Sequence, residues 1–176
     1  MTNLIYDRTP EDVAEVRRLL AKLDPETGDG LTAAEQAKWD AGLKGAYNFT
    51  DLNRVESAVK LLAAALTSAG YPVEITPVLK GNKAEDREWQ EGDVLYRPQW
   101  TTYLDNVQRL RDAYYTLAET GELPAPGDKL GYVGANTIEK VLADIDLLLD
   151  GMKSIYRRAG TFTAGGSYTR QMIRSI

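Results

Sequence analysis

A chain of 176 residues with 43% hydrophobic content is long enough to bury one real core and too apolar for wholesale disorder. The absence of cysteine and histidine excludes disulfide staples, thiol nucleophiles, imidazole bases and the usual zinc and copper sites. The net charge of −5 argues against general nucleic-acid binding, and no apolar run approaches the roughly 20 residues that span a bilayer.

The opening MTNLIYDRTPED lacks the basic and apolar regions of a signal peptide, so synthesis in the cytoplasm is expected. Thr9-Pro10-Glu11-Asp12 then reads as a helix start, with Thr at the cap, Pro at the first helical position and acids in the first turn. Val13, Val16, Leu19, Leu20 and Leu23 share a face, which predicts a helix over 10–23. Thr32-Ala33-Ala34-Glu35 is a capping box and predicts a second, shorter helix over 32–43. Leu52, Val55, Val59, Leu62, Leu66 and Ala69 form a narrow seam and predict a third over 51–69.

Residues 73–98 are irregular, with Val73–Ile75 and Val94–Tyr96 as candidate short strands and a charged, solvated loop at KAEDREWQEGD. Pro98 opens a fourth predicted helix, 99–118, whose face is Trp100, Leu104, Val107, Leu110, Tyr114 and Leu117. The fifth, 136–158, has a face broad enough for two neighbours, from Ile138, Val141, Leu142 and Ile145 to Leu148, Leu149, Met152 and Ile155. The expected fold is an all-α bundle of about five helices: a helical domain over 1–158 and a Gly/Ser/Thr-rich basic arm over 159–176.

An offset of 83 residues carries Asn53 onto Asn136, Val55 onto Ile138, Glu56 onto Glu139 and Leu62 onto Ile145. This suggests two related helical hairpins. Asn-x-aliphatic-Glu at both places is read as structural, either as helix caps or as an internal hydrogen-bonded network; four polar groups lining a site is the functional alternative.

Other candidate chemistry is thin. The five serines are scattered, and neither GxxxxGK nor GxGxxG occurs. DPETGDGLTAAE, Asp24 to Glu35, resembles a calcium loop, but its Asp-Gly pair is displaced by one position and the Thr32/Glu35 box accounts for the residues. Asn48-Phe49-Thr50 matches a glycosylation sequon by pattern only. Trp89 and Trp100 read as anchors that pin the irregular stretch to the core. A cell-wall carbohydrate-binding module stacking sugars on exposed Trp89, Tyr96 and Trp100 is the alternative. The chain is thus read as non-enzymatic, with no metal and no cofactor.

Charge is uneven: after Asp150 there is no acidic residue, while Lys153, Arg157, Arg158, Arg170 and Arg174 follow. Together with Phe162, Tyr168, Met172 and Ile173 they make the arm a candidate partner-binding element, drawn to an acidic surface.

Taken in order, Tyr6-Asp7-Arg8-Thr9, Leu31-Thr32, Trp39, Lys44-Gly45-Ala46-Tyr47-Asn48 and Thr50-Asp51-Leu52-Asn53-Arg54-Val55-Glu56 resemble a family of small structural proteins. These are encoded in the tail modules of phages and prophages of Gram-positive, often gut-dwelling bacteria. The likeness continues through Tyr103-Leu104-Asp105-Asn106-Val107 and Ala135-Asn136-Thr137-Ile138-Glu139, covering most of the chain to about residue 158 but least from Val73 to Trp89. It implies a virion component near the tail tip, baseplate or fibre, with other virion subunits and further copies of itself as partners. No nucleic acid, membrane or catalytic residue is implied.

Overall fold

The computed structural model describes residues 3–24, 26–27, 30–81 and 84–159. The described residues form five helices: α1 Pro10–Leu20, α2 Ala33–Asp40, α3 Phe49–Ser68, α4 Arg97–Ala113 and α5 Tyr132–Ala159. Among them there is no sheet, only one isolated antiparallel bridge, Lys80 to Glu85. The candidate strands at 73–75 and 94–96 therefore do not pair. None of the helices is long and apolar enough to cross a membrane.

The core lies where α3, α4 and α5 pack on one another. Val55, Leu66, Val107, Leu110, Ile138, Leu142 and Ile145 are fully enclosed there, as their 3.6-residue spacing requires. α5 faces both neighbours, as its broad stripe predicts. The predicted pair of equivalent hairpins is not seen as such: α4 packs along α5, but α1 does not run along α3 in the same way. α1 buries only Leu19, and α2 buries no residue.

Helix ends differ from the periodic reading for local reasons. α1 stops at Leu20 because the N–H groups of Lys22 and Leu23 both turn back to the Leu19 carbonyl, leaving Leu20 about half exposed. α4 ends at Ala113, since Tyr114 is extended (φ −144°, ψ −179°). From there its ring meets Tyr71 edge-on, with centroids 4.9 Å apart, and its hydroxyl points at the Met152 sulfur. Leu117 thus lies in a turn rather than on the helix face. Ile155, assigned to the α5 core stripe, is 69% exposed.

The Thr9 cap and the Thr32/Glu35 capping box form as expected, and Asp12 turns the Thr9 cap into a second capping box. The α3 cap does not come from Asn53 but from Asn48, reciprocated by Asp51. α5 begins four residues before Asn136, so that residue is not a cap either. Gly45 is needed where the chain crosses the start of α1: a Cβ there would lie 2.2 Å from the Asp12 carbonyl oxygen.

Candidate functional site

Freed from capping, both Asn-x-aliphatic-Glu pairs face the interior and hold non-helical chain. Asn136 donates its amide to the Arg8 carbonyl (2.8 Å) and accepts the Arg8 N–H (3.0 Å). Asn53 does the same to Trp89, at 2.9 and 2.7 Å. A third asparagine, Asn106 on α4, grips Thr76 identically, at 2.7 and 2.8 Å. In each case one side-chain amide replaces the neighbouring strand that an extended peptide would otherwise need. That satisfies a backbone donor and acceptor at once.

The glutamates, three residues further on, take a buried cation from the same strapped segment. Glu139 is fully buried and accepts from the Ile5 N–H (2.6 Å), from the Arg8 guanidinium (2.8 Å), and from Arg54 at 2.8 and 3.0 Å. Asp51 closes the square: one oxygen accepts from Arg8 (2.9 Å) and also from Arg54, while the other accepts the Asn48 N–H (2.9 Å) at the α3 cap. Arg8 also donates to the carbonyls of Lys44 and Ile5. Two arginines and two carboxylates leave this centre formally neutral, and its interior charges are multiply hydrogen-bonded, the condition under which buried ions are tolerated. Burial alone would lower the Arg54 pKa, yet Glu139 and Asp51 hold it above the ordinary value.

The Arg8 guanidinium lies 5.3 Å from the Tyr47 ring centroid, and the Tyr47 hydroxyl meets that of Tyr103 at 2.6 Å. Burial pushes both phenols well above their usual pKa. Tyr103 in turn stacks on Trp100, with centroids 5.2 Å apart.

On α3, Glu56 accepts from the Lys80 ammonium and from the Trp89 indole N–H, each at 2.6 Å. Lys80 is 1% exposed and Trp89 2%. Gln99 adds a bond to the Leu79 carbonyl (2.7 Å) and Arg109 one to the Glu74 carbonyl (3.0 Å). The stretch expected to be a solvated excursion is therefore tied to α3 and α4 along its length. Its charged surface is carried by exposed Glu74, Glu85, Asp86, Glu88 and Glu91, and at the turn Arg87 pairs with Asp93 (2.6 Å) and, with the Gln90 N–H, holds the Asp93 carboxyl down to about 2.

Trp89 and Trp100 are thus core anchors, and the sugar-stacking surface that needed them exposed is not formed; Tyr96 alone of the three is exposed. In the calcium-like loop, the Asp24 carboxylate accepts the N–H groups of Glu26 and Thr27. Glu35 is engaged by Lys22 (2.5 Å), Arg18 (2.7 Å) and the Thr32 cap, which keep its carboxyl well below the ordinary range. A cleft of about 560 Å³ borders the ionic centre, lined by Asp51 and Arg54 together with Ile5, Asp7, Lys44 and Asn48 among others.

Of the expected partner-binding residues, Arg157 and Arg158 belong to the last turn of α5, their side chains outside the described residues. Phe162, Tyr168, Arg170, Met172 and Arg174 lie outside the described residues altogether. Arg8, Asp51, Arg54 and Asn106 stood in the sequence only as members of the resemblance motifs, with no role assigned, and Lys80 was not singled out at all. Asn106 had a legible signal: a poor helix former between Tyr103 and Leu110, in register with the buried face of α4.

The class these features define is an all-α bundle whose extended segments are strapped to its helices by side chains. Comparison of the chain with protein-family models, with curated proteins and with solved structures finds no match.

Proposed function

We propose that this chain is a non-enzymatic structural component of a bacteriophage or phage-tail-like particle, an adaptor at the tail tip, baseplate or fibre. One observation carries the reading: six of the residues on which the tail-protein resemblance rests hold the interior together. Arg8, Asp51, Arg54, Asn106, Asn136 and Glu139 all belong to those motifs and all bond to this chain's own backbone or charges. A motif set of this kind is a signature of architecture, which is what an assembly subunit would keep.

Each strap fixes an extended segment to a helix by side-chain hydrogen bonds, in a chain with no cysteine to form a disulfide, suiting a part that works by contact. The partners on this reading are other virion subunits and further copies of the chain.

The test is composition of particles. Induce the prophage that encodes the chain, purify tailed particles through a density gradient, and identify the proteins by mass spectrometry. The chain should co-sediment with tail proteins in fixed ratio, and its gene should adjoin tape-measure and tail-tip genes. Particles of normal composition without it, with all of the chain in the soluble fraction, would overturn the proposal.

A further inference from the structure

α1 and α2 stand apart from the body of the molecule. The core cluster is built from α3, α4, α5 and the segments strapped to them, and no apolar residue of α1 or α2 joins it or packs against it. Leu19 is fully enclosed yet lies outside that cluster. Among the described residues, no side chain of α1 or α2 shares a hydrogen bond or ion pair with α3, α4 or α5.

The contacts that the two helices do not make with the body they make with each other. Arg18 and Lys22, on α1 and just past its end, both hold Glu35, at 2.7 and 2.5 Å. Lys38 on α2 reaches back to Glu15 at 3.6 Å. Each helix opens on its own capping box, and the Gly42 N–H closes α2 on the Trp39 carbonyl. The pair is cross-linked internally and holds together as one unit.

Its attachment is narrow. On one side Arg8 is locked into the body by Asn136, Asp51 and Glu139, and α1 begins at Pro10. On the other, α2 ends at Asp40, and the chain is next fixed where the Tyr47 hydroxyl meets that of Tyr103. Lys44 fastens the two stems together: its carbonyl accepts the Arg8 Nε–H (3.0 Å), and its ammonium meets Asp7 (2.8 Å) and Asp12 (3.8 Å). Gly45 crosses the Asp12 backbone too closely for a Cβ, so the stems bear on each other through bare backbone, as at a fulcrum.

A cleft of about 560 Å³ separates the pair from the start of α3, with Ala41, Gly42 and Leu43 on one side and Asn48, Thr50 and Arg54 on the other. Few contacts with the body, cross-links within the unit and a two-stranded stem are the conditions for hinge motion of a whole element. We propose that α1 and α2 form one rigid arm that swings about the Arg8–Thr9 and Lys44–Ala46 joints, opening and closing this cleft. Closure covers the edge of the ionic centre at Arg54, whose side chain is 17% exposed; opening wets it. The motion belongs to the isolated chain, whatever particle that chain serves.

Because the chain has no cysteine, pairs of introduced cysteines take spin labels without background. A14C/A37C lies within the arm, S57C/D105C lies within the body, and A37C/S57C bridges the two, all at exposed positions. Distance distributions from electron spin resonance should be narrow for the first two pairs and about twice as broad for the bridging pair. A second bridging pair, A34C/K60C, repeats the measurement at other exposed positions, and circular dichroism shows that each labelled chain keeps its helices. Bridging distributions as narrow as that of the body pair would overturn the proposal, since the arm would then be fixed. So would a broad distribution within the arm, because the two helices would then separate rather than swing together.

Discussion

The two Asn/Glu grips use the same pair of side chains at the same spacing, yet they sit in unlike surroundings. On α5, Glu139 is 0% exposed and serves two arginines, shared with Asp51. On α3, the Glu56 side chain is 14% exposed and holds one lysine and one indole N–H. The first joins the N-terminal segment, α3 and α5 in one ionic centre. The second ties a single loop to a helix that is already packed. The difference teaches that a repeated sequence device sets what is gripped, while burial and the number of shared partners set how much of the fold depends on it.

The comparison breaks most visibly at the glutamates. Glu139→Gln leaves two buried guanidiniums facing only Asp51 and should cost about 3–5 kcal/mol, a large part of a typical total. Glu56→Gln should cost less, about 1–3 kcal/mol, because it leaves one buried cation rather than two, Lys80 lies against the Trp89 ring, and the carboxylate position itself is 14% exposed to water. Urea denaturation of both variants tests the order; equal losses would show that burial does not separate the two grips.

Next come the asparagines. Asn136→Ala, Asn53→Ala and Asn106→Ala each orphan one backbone donor and one acceptor, and each should cost about 1–3 kcal/mol. The readout differs by region. Asn53→Ala and Asn106→Ala should expose 73–96 to limited proteolysis while the helices persist, whereas Asn136→Ala should lower the global melting temperature. Cleavage in the loop at the wild-type rate would mean that the other straps suffice.

Gly45→Ala sharpens the N-terminal side. The added Cβ meets the Asp12 backbone at 2.2 Å, so the crossing beside Lys44 must shift. A loss of about 1–3 kcal/mol is expected. Gly42→Ala, with nothing within 4 Å of a Cβ but φ +85°, is the control for backbone strain alone.

The smallest effects separate the regions by pH. Tyr47 and Tyr103 have raised folded-state values, so their contribution is complete below the ordinary phenol pKa of about 10 and is lost as pH climbs through the folded value. Asp93 is depressed to about 2, so the Arg87–Asp93 hold is complete above the ordinary aspartate value of 3.8 and is lost as pH falls toward 2. In an alkaline titration, the part of the tyrosine absorbance change that disappears in Tyr47→Phe and Tyr103→Phe should appear only together with unfolding. Hydrogen exchange in acid should show the 87–93 turn loosening through that hold, an effect removed in Asp93→Asn.

Much of the scaffold was legible in the sequence because its causes are local. Thr9 and Thr32 with their reciprocal acids, and the seams through Val59 and Ile145, depend on residues three or four apart. The Asn/Glu repeat was visible too, and an internal network was one of its two structural readings. Which partners it holds was not visible, because Asn136 reaches a residue 128 positions away and Glu139 one 134 away, in segments with no periodicity. Sequence by itself determined the five helices, the central buried stripes of α3, α4 and α5, and the motif; tertiary structure alone decided that the motif straps extended chain rather than capping helices. The physical reason is that a side-chain amide serves a helix terminus or a distant peptide equally well, and only packing decides which backbone is left without water.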